Sequence, residues 1–190
     1  MKAPLRVETA RLILAPPEPP DAAAVFERYA SDADVTRFLG WPRHRSLADT
    51  QAFVNFSAAE WTRWPAGPYL IWSRDDPELL GGTGFTFEAH DRAITGYVLA
   101  KDAWGRGYAT EALTAIVDVA RAIGLTRLTA FCHPEHRASA RVLEKCGFQL
   151  GPGRARHEFP NLTPGVLIDV LCYEIALSQG TTRFDREPSN

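Results

Sequence analysis

The stretch Ala103-Trp-Gly-Arg-Gly-Tyr-Ala-Thr-Glu-Ala-Leu113 runs a glycine-rich turn straight into a helical pattern. Such a junction gathers unpaired N–H groups and the positive end of a helix dipole at one point, which suits a phosphate. Gly105 and Gly107 let the backbone approach an anion without a Cβ, Arg106 can add charge, and Thr110 can donate a hydroxyl from the first turn. Glu111 would repel a phosphate if it turned inward. It is therefore expected to point aside, where a first-turn carboxylate stabilises a helix by roughly 0.3–1 kcal/mol. Taken alone, the same residues also describe a plain tight turn with a glutamate complementing the dipole. The stretch matches neither G-x-x-x-x-G-K-[ST] nor G-x-G-x-x-G.

Further along, Ser139, Leu143 and Cys146 fall at i, i+4 and i+7, which puts a hydroxyl on the same inward stripe as apolar side chains. Such a serine either contacts a ligand or bonds the preceding helical turn. Arg137, Arg141 and Lys145 repeat at i, i+4 and i+8 on another stripe, where like charges repel unless an anion or Glu144 relieves them. His133 and His136 flank Pro134-Glu135, but this is not H-E-x-x-H and no third ligand stands at a sensible spacing, so no metal is expected. Cys132, Cys146 and Cys172 are odd in number, far apart and without C-x-x-C, which suggests neither a disulfide framework nor a thiolate zinc site.

The elements that must position these residues are readable from period and punctuation. Arg11–Leu14 reads as a first strand, and the prolines at 16, 17, 19 and 20 deliver the chain to Asp21, an N-cap for a helix reaching Tyr29. Asp32–Leu39 reads as a short helix closed by Gly40-Trp41-Pro42, and Ser46 caps a third that runs to Trp61 or Arg63. Tyr69–Trp72, Gly82–Ala89 and Ala93–Ala100 then form an antiparallel meander. From Ala109 the period becomes 3.6, with Leu113, Ile116, Val117, Ala120 and Ile123 on one stripe and Gly124 as the stop. Leu128–Cys132 is a strand, Ala138–Cys146 a helix stopped by Gly147, and Val166–Ala176 a closing strand, with a glycine-interrupted strand near Phe148–Arg156.

The chain has 190 residues, which fits one domain over 1–177 and a flexible polar end at 178–190. Lys and Arg number 21 against 23 Asp and Glu, so the formal charge is -2 and nothing draws the whole molecule to nucleic acid or an anionic membrane. No apolar run is long enough to span a bilayer or to make a signal peptide, and a cytoplasmic protein is expected.

Trp104-Gly-Arg-Gly-Tyr-Ala109 resembles the pyrophosphate loop [QR]-x-x-G-x-[GA] of the GNAT superfamily of N-acetyltransferases, with Trp104 where Gln or Arg is usual. Arg11–Leu14, Asp32–Leu39, Gly96-Tyr97, Ala109–Leu113 and Ala138–Phe148 are similar to the branch of ribosomal-protein-alanine acetyltransferases, and the likeness covers roughly residues 8–176. It implies an α/β (α+β) fold with a mixed, mostly antiparallel, splayed sheet flanked by helices, the strand Ala93–Ala100 parting from Leu128–Cys132 to admit acetyl-CoA. By the resemblance, backbone at Tyr97, Val98 and Leu99 pairs with the pantetheine arm. Gly105, Arg106, Gly107, Tyr108, Ala109 and Thr110 hold the pyrophosphate, Arg141 suits the 3′-phosphate, and His136 meets the cofactor arm.

Two departures stand out: His136 replaces a frequent Asn, and Leu143 replaces the tyrosine general acid of many branches. The branch followed here offers Ser139 in its place, as the catalytic group at the thiol. The implied reaction is direct attack of a neutral primary amine, on a protein N-terminus or a small molecule, at the thioester carbonyl. The base is open among Glu88, His90, Asp91 and Glu111. The resemblance places the Phe38–His44 loop near the acceptor and allows a homodimer. A CoA-binding module without catalysis is the alternative, should Trp104 and Leu143 mark lost chemistry.

Overall fold

Tyr69 and Ile71 turn to one side of a strand and Leu70 to the other, and all three are buried, so the sheet here is covered on both faces. The computed structural model describes residues 1–177; the flexible end expected at 178–190 lies outside the described residues. The strands are β1 (Val7–Glu8), β2 (Leu12–Ala15), β3 (Pro68–Ser73), β4 (Leu79–Ala89), β5 (Arg92–Leu99), β6 (Arg127–Cys132), β7 (Gln149–Leu150), β8 (Ala155–Glu158) and β9 (Leu167–Ala176). The helices are α1 (Ala22–Val25), α2 (Ala33–Thr36), α3 (Leu47–Arg63), α4 (Tyr108–Ala122) and α5 (Arg137–Lys145). The sheet runs β1-β2-β3-β4-β5-β6-β9-β7, with β8 also pairing β9.

Every neighbouring pair is antiparallel except β5 and β6, which are parallel because α4 carries the chain over between them. The α4 stripe closes one face: Leu113 and Ile116 are fully buried against Leu12, Leu14, Leu128 and Leu143. Each such side chain contributes about 1.5–3 kcal/mol relative to exposure. Val25, Tyr29, Val35, Leu70 and Leu79 form the smaller core on the opposite face. Among the described residues no helix is long and apolar enough to cross a membrane.

Several elements differ from the sequence expectation for local reasons. A short β1 precedes the expected first strand and pairs with it through Val7↔Leu14. The helix from Asp21 widens after α1 into a π turn over Phe26–Ala30, where the Ser31 N–H and hydroxyl both reach the Phe26 carbonyl, at 3.2 and 2.6 Å. The expected helix at 32–39 is regular only through α2, with Asp32 capping Asp34 and Val35. Ser46 and Asp49 complete a reciprocal cap on α3 as the sequence suggests. The interrupted strand near Phe148–Arg156 resolves into β7 and β8, separated by Gly151 and Gly153.

Only three residue pairs join β5 to β6: Arg92↔Arg127, Ala93↔Leu128 and Ile94↔Thr129. Beyond them the strands part, while β5 stays paired to β4 as far as Leu99 and β6 stays paired to β9 as far as Cys132. The expected splay is therefore present, with Tyr97–Leu99 along one wall.

The β4 wall is packed to backbone distance. A Cβ at Gly81 would lie 2.0 Å from the Val98 carbonyl oxygen and 2.9 Å from Leu99 Cα. Gly81→Ala must push β5 away from β4 at the open stretch, and we expect a loss of at least about 3 kcal/mol, measured by denaturant unfolding. A stability within about 0.5 kcal/mol of the parent would contradict this packing.

Candidate active site

Backbone direction along β5 identifies which peptide groups face the crevice. The Gly96 carbonyl accepts the Thr83 hydroxyl at 2.9 Å and the Ala100 N–H donates to the Leu80 carbonyl at 2.8 Å, so even-numbered residues bond towards β4. By alternation Tyr97 and Leu99 present their N–H and C=O to the open side, whereas Val98 is turned to β4. Of the expected strand residues, Tyr97 and Leu99 thus carry the free edge. The indole Nε1–H of Trp104 donates to the Leu99 carbonyl at 2.8 Å and marks where that edge ends.

After Leu99 the chain makes a 3-10 turn over Lys101–Ala103, and then Gly105 and Gly107 adopt φ of 72° and 81°. Both lie in the left-handed region that favours glycine. Gly107 is the N-cap of α4 and has no side chain to cap it, so the first-turn amides of Tyr108, Ala109 and Thr110 remain available to an anion. A Cβ at Gly105 would meet nothing within 4 Å, consistent with a surface left open to a ligand. The Arg106 guanidinium lies over the Tyr108 ring, 4.9 Å from its centroid.

Glu111 points aside, as the sequence required. Its carboxylate accepts the Thr9 hydroxyl at 2.6 Å, the Arg11 backbone N–H at 2.8 Å and Arg11 Nε at 2.7 Å. Arg11 Nη1 then donates to the Arg106 carbonyl at 2.9 Å, and its guanidinium stacks on Tyr108. The turn is thereby bolted to the segment between β1 and β2. Burial resists ionisation of Glu111, but these hydrogen bonds and the Arg11 charge outweigh it and hold the carboxyl below its ordinary value.

At the far end of the crevice the Tyr97 hydroxyl lies 2.9 Å from Ser139 Oγ and 3.0 Å from the Ser139 carbonyl oxygen. The expected catalytic serine is therefore placed at the opening, on α5, and already has a partner from β5. Burial pushes the Tyr97 phenol well above its usual range against the pull of Ser139. Burial also pushes the Cys132 thiol up to about 11, with a smaller downward pull from Ser139. Cys146 is raised by burial too, partly offset by Thr114, and its Sγ lies 3.4 Å from the Thr110 carbonyl.

Arg137, Arg141 and Lys145 are exposed on α5, and Glu144 turns to the Tyr173 hydroxyl, which it accepts at 3.0 Å, and forms no ion pair with them. His136 precedes α5 at the N-cap position without a side-chain cap bond, its ring stacked on Phe38 at 4.9 Å, and His133 packs on Phe38 and Phe159 at the same distance. Burial and the neighbouring His133 lower the His136 pKa, which favours the neutral ring. His136 thus belongs to an aromatic cluster at the Phe38–His44 loop. Asn161 clasps that loop: its amide donates to the Thr36 and Trp41 carbonyls at 2.8 and 2.9 Å, and its oxygen accepts the Arg43 N–H at 2.8 Å. Among the described residues no three metal-ligating side chains converge.

The candidate bases separate by position. His90 and Asp91 sit in the β4–β5 hairpin at the closed end, His90 against Trp64 and Asp91 accepting the Thr126 hydroxyl at 2.9 Å. Six residues of strand put Asp91 about 20 Å from Tyr97. Glu88, at the same end of β4, is also remote, and Glu111 is committed to Arg11.

Comparison with known proteins bears on this arrangement. A family model described as an acetyltransferase (GNAT) domain matches residues 11–149. The chain belongs to the GNAT acetyltransferases. The uncharacterized N-acetyltransferase YoaA of Bacillus subtilis is 32% identical over 161 residues, covering 83% of this chain and 90% of that protein. A GNAT-family acetyltransferase from Bacillus anthracis superposes with a TM-score of 0.77 at 26% identity, covering 90% of this chain and 98% of that one. The ribosomal L7/L12 α-N-protein acetyltransferase RimL, solved with coenzyme A, has the same fold with a TM-score of 0.77 at 21% identity, covering 94% and 99% of the two chains. As a GNAT acetyltransferase the protein uses acetyl-CoA as its acetyl donor.

Sequence reading missed the roles of Arg11 and of the Tyr97 side chain, because each acts on a residue far along the chain: 100 positions for Arg11–Glu111 and 42 for Tyr97–Ser139. The signal for Arg11 was faint, a cation just before the first expected apolar strand residues and a lone first-turn carboxylate in α4. Because the folded pKa of Glu111 lies below its ordinary 4.5, its contribution is complete above that pH and disappears as pH falls through the folded value. Glu111→Gln should cost about 1.5–3 kcal/mol at neutral pH, with the difference from the parent shrinking towards zero in acid. Urea unfolding across pH measures it, and a pH-independent difference would contradict the ion-pair account.

Proposed function

We propose that this acetyltransferase moves the acetyl group from acetyl-CoA directly to a primary amine, on a protein N-terminus or a small molecule, within a ternary complex. The observation that carries the reading is the free Tyr97–Leu99 edge running into the uncapped amides of Tyr108–Thr110. The amides of the pantetheine arm complement such an edge as an added strand would, and the pyrophosphate suits the α4 N-terminus and Arg106. Arg141 on the unneutralised stripe suits the 3′-phosphate. In this placement the thioester lies between the β5 backbone and the Ser139 hydroxyl: a backbone N–H of β5 stabilises the oxyanion and the Ser139 hydroxyl meets the sulfur. The acceptor approaches from the Phe38–His44 loop, with His136 on that side. Free Cys132, Cys146 and Cys172 fit a reducing cytoplasm.

Acetyl-CoA and desulfo-CoA should both raise the unfolding temperature, since each binds only the native state. Gly107→Val places a branched side chain at a φ of 81° and a Cβ in the path of the pyrophosphate. It should lower stability by about 1–3 kcal/mol and abolish the ligand-induced shift. Normal acetyl-CoA binding by the variant would remove the turn from the site.

Direct transfer also has a kinetic signature. A covalent route needs a thiolate, and burial raises the pKa of both Cys132 and Cys146. For Cys146 burial is the leading cause, and its place at the C-terminal end of α5 acts in the same direction through the helix dipole. With an amine found by screening N-terminal peptides, polyamines, aminoglycosides and amino acids, initial rates should give intersecting lines, and Cys146→Ser should keep most turnover. Parallel lines with an acetyl group trapped on a cysteine would overturn the mechanism.

A further inference from the structure

Tyr97 and Ser139 stand on opposite walls of the crevice, one on β5 and the other on α5, and their hydroxyls meet at its open end. The phenol carries one proton and has two acceptors on a single residue, Ser139 Oγ at 2.9 Å and the Ser139 carbonyl at 3.0 Å. Two proton arrangements therefore fit the same heavy atoms. In one, Tyr97 donates to the carbonyl and Ser139 donates to Tyr97. In the other, Tyr97 donates to Ser139 Oγ, and the serine proton is free to point into the crevice. Passing between them rotates two O–H bonds, and the second arrangement frees the serine hydroxyl for an acceptor in the crevice.

Resting on the reading that Ser139 faces the thioester sulfur, we infer that Tyr97 is a positioning residue for acetyl transfer, holding Ser139 Oγ so that the serine hydroxyl donates to the departing thiolate. As the amine nitrogen bonds to the acetyl carbon and the C–S bond breaks, the bonding pair collects on sulfur. A hydrogen bond to that charge is roughly twice as strong as one between neutral groups, so the serine proton turns to sulfur and the Tyr97 proton fills the place it leaves. Tyr97 and Ser139 keep their protons throughout. The amine gives up its proton to solvent, and the thiolate takes one from solvent afterwards. The bond at sulfur is strongest when charge is there, so it favours the transition state over bound acetyl-CoA. Burial keeps Tyr97 protonated and fit for this task.

The test needs no acceptor, because reduced CoA presents the same sulfur. The probe is CoA binding followed by calorimetry from about pH 7 to 10, against desulfo-CoA as the thiol-free control. Cys132 and Cys146 are the thiols facing the pair, and burial raises both; whatever they titrate is common to CoA and desulfo-CoA and cancels in the comparison. In the parent protein CoA should gain affinity over desulfo-CoA as pH rises, by about tenfold, equivalent to a bound thiol pKa about one unit below that of free CoA. Tyr97→Phe should lose most of that gain while binding desulfo-CoA within about twofold of the parent, and Ser139→Ala should lose it all. The double variant should match Ser139→Ala. Fluorination of the Tyr97 ring, which strengthens the donor without deleting it, should enlarge the gain. A Tyr97→Phe protein with the parent's thiol pKa, equal losses from that substitution with and without Ser139, or a loss of desulfo-CoA affinity as large as that of CoA would each overturn the role. An unchanged thiol pKa in Ser139→Ala would instead remove Ser139 from the sulfur, and the underlying placement with it.

Discussion

The peptide groups of Tyr97 and Leu99 have no strand to bond. A sheet that opens in its interior leaves N–H and C=O groups that neither core nor solvent fully satisfies, and a protein tolerates this only where another molecule completes the ladder. Much of the architecture follows from that opening. Three parallel pairs close one end of β5 against β6, α4 bridges them on one face, and β9 holds β6 so that it cannot follow β5 outward. The gap is kept open by covalent connection and packing on both sides, and it needs no flexible hinge.

At the phosphate end, rigidity comes from a cation that binds protein. Arg11 has its guanidinium on Glu111, on the Arg106 carbonyl and over Tyr108, which fixes the turn's backbone, while the Arg106 guanidinium stays exposed. The carboxylate that would have repelled a phosphate is neutralised from behind. Trp104 does comparable work one step earlier, where its indole ties off the last free carbonyl of the β5 edge while its ring stays 46% exposed. A glutamine or arginine at that position could make the same bond, and the tryptophan adds a large apolar wall beside it.

Local patterns made much of this legible from the residues alone. The stripe from Leu113 to Ile123 has one period, Ser46 is a cap read from its own position, and the glycines at 105 and 107 announce a tight turn. The splay and its parallel pair came from resemblance, because nothing in the composition of β5 and β6 says that they separate after Ile94 and Thr129. The π turn at Phe26–Ala30 and the division of β7 from β8 depend on which neighbours take up stray backbone groups, and that is settled by packing. Tyr97 looked like an ordinary β5 aromatic, since the hydroxyl that gives it meaning belongs to a helix three elements later.

The three hydrogen bonds of Asn161 also fix the order in which the molecule can be completed. They reach back 125 residues to Thr36, 120 to Trp41 and 118 to Arg43, whereas the turn at Gly107 and its helix are contiguous in the chain. Contacts of such separation must close a long loop before they return any energy, and a nascent chain has no Asn161 until most of its length has been made. The Phe38–His44 loop is thus the last part to be assembled, after the residues of the Gly105–Gly107 turn are already in place. A chain caught before that closure would have a formed Gly105–Gly107 turn and an unclasped Phe38–His44 loop.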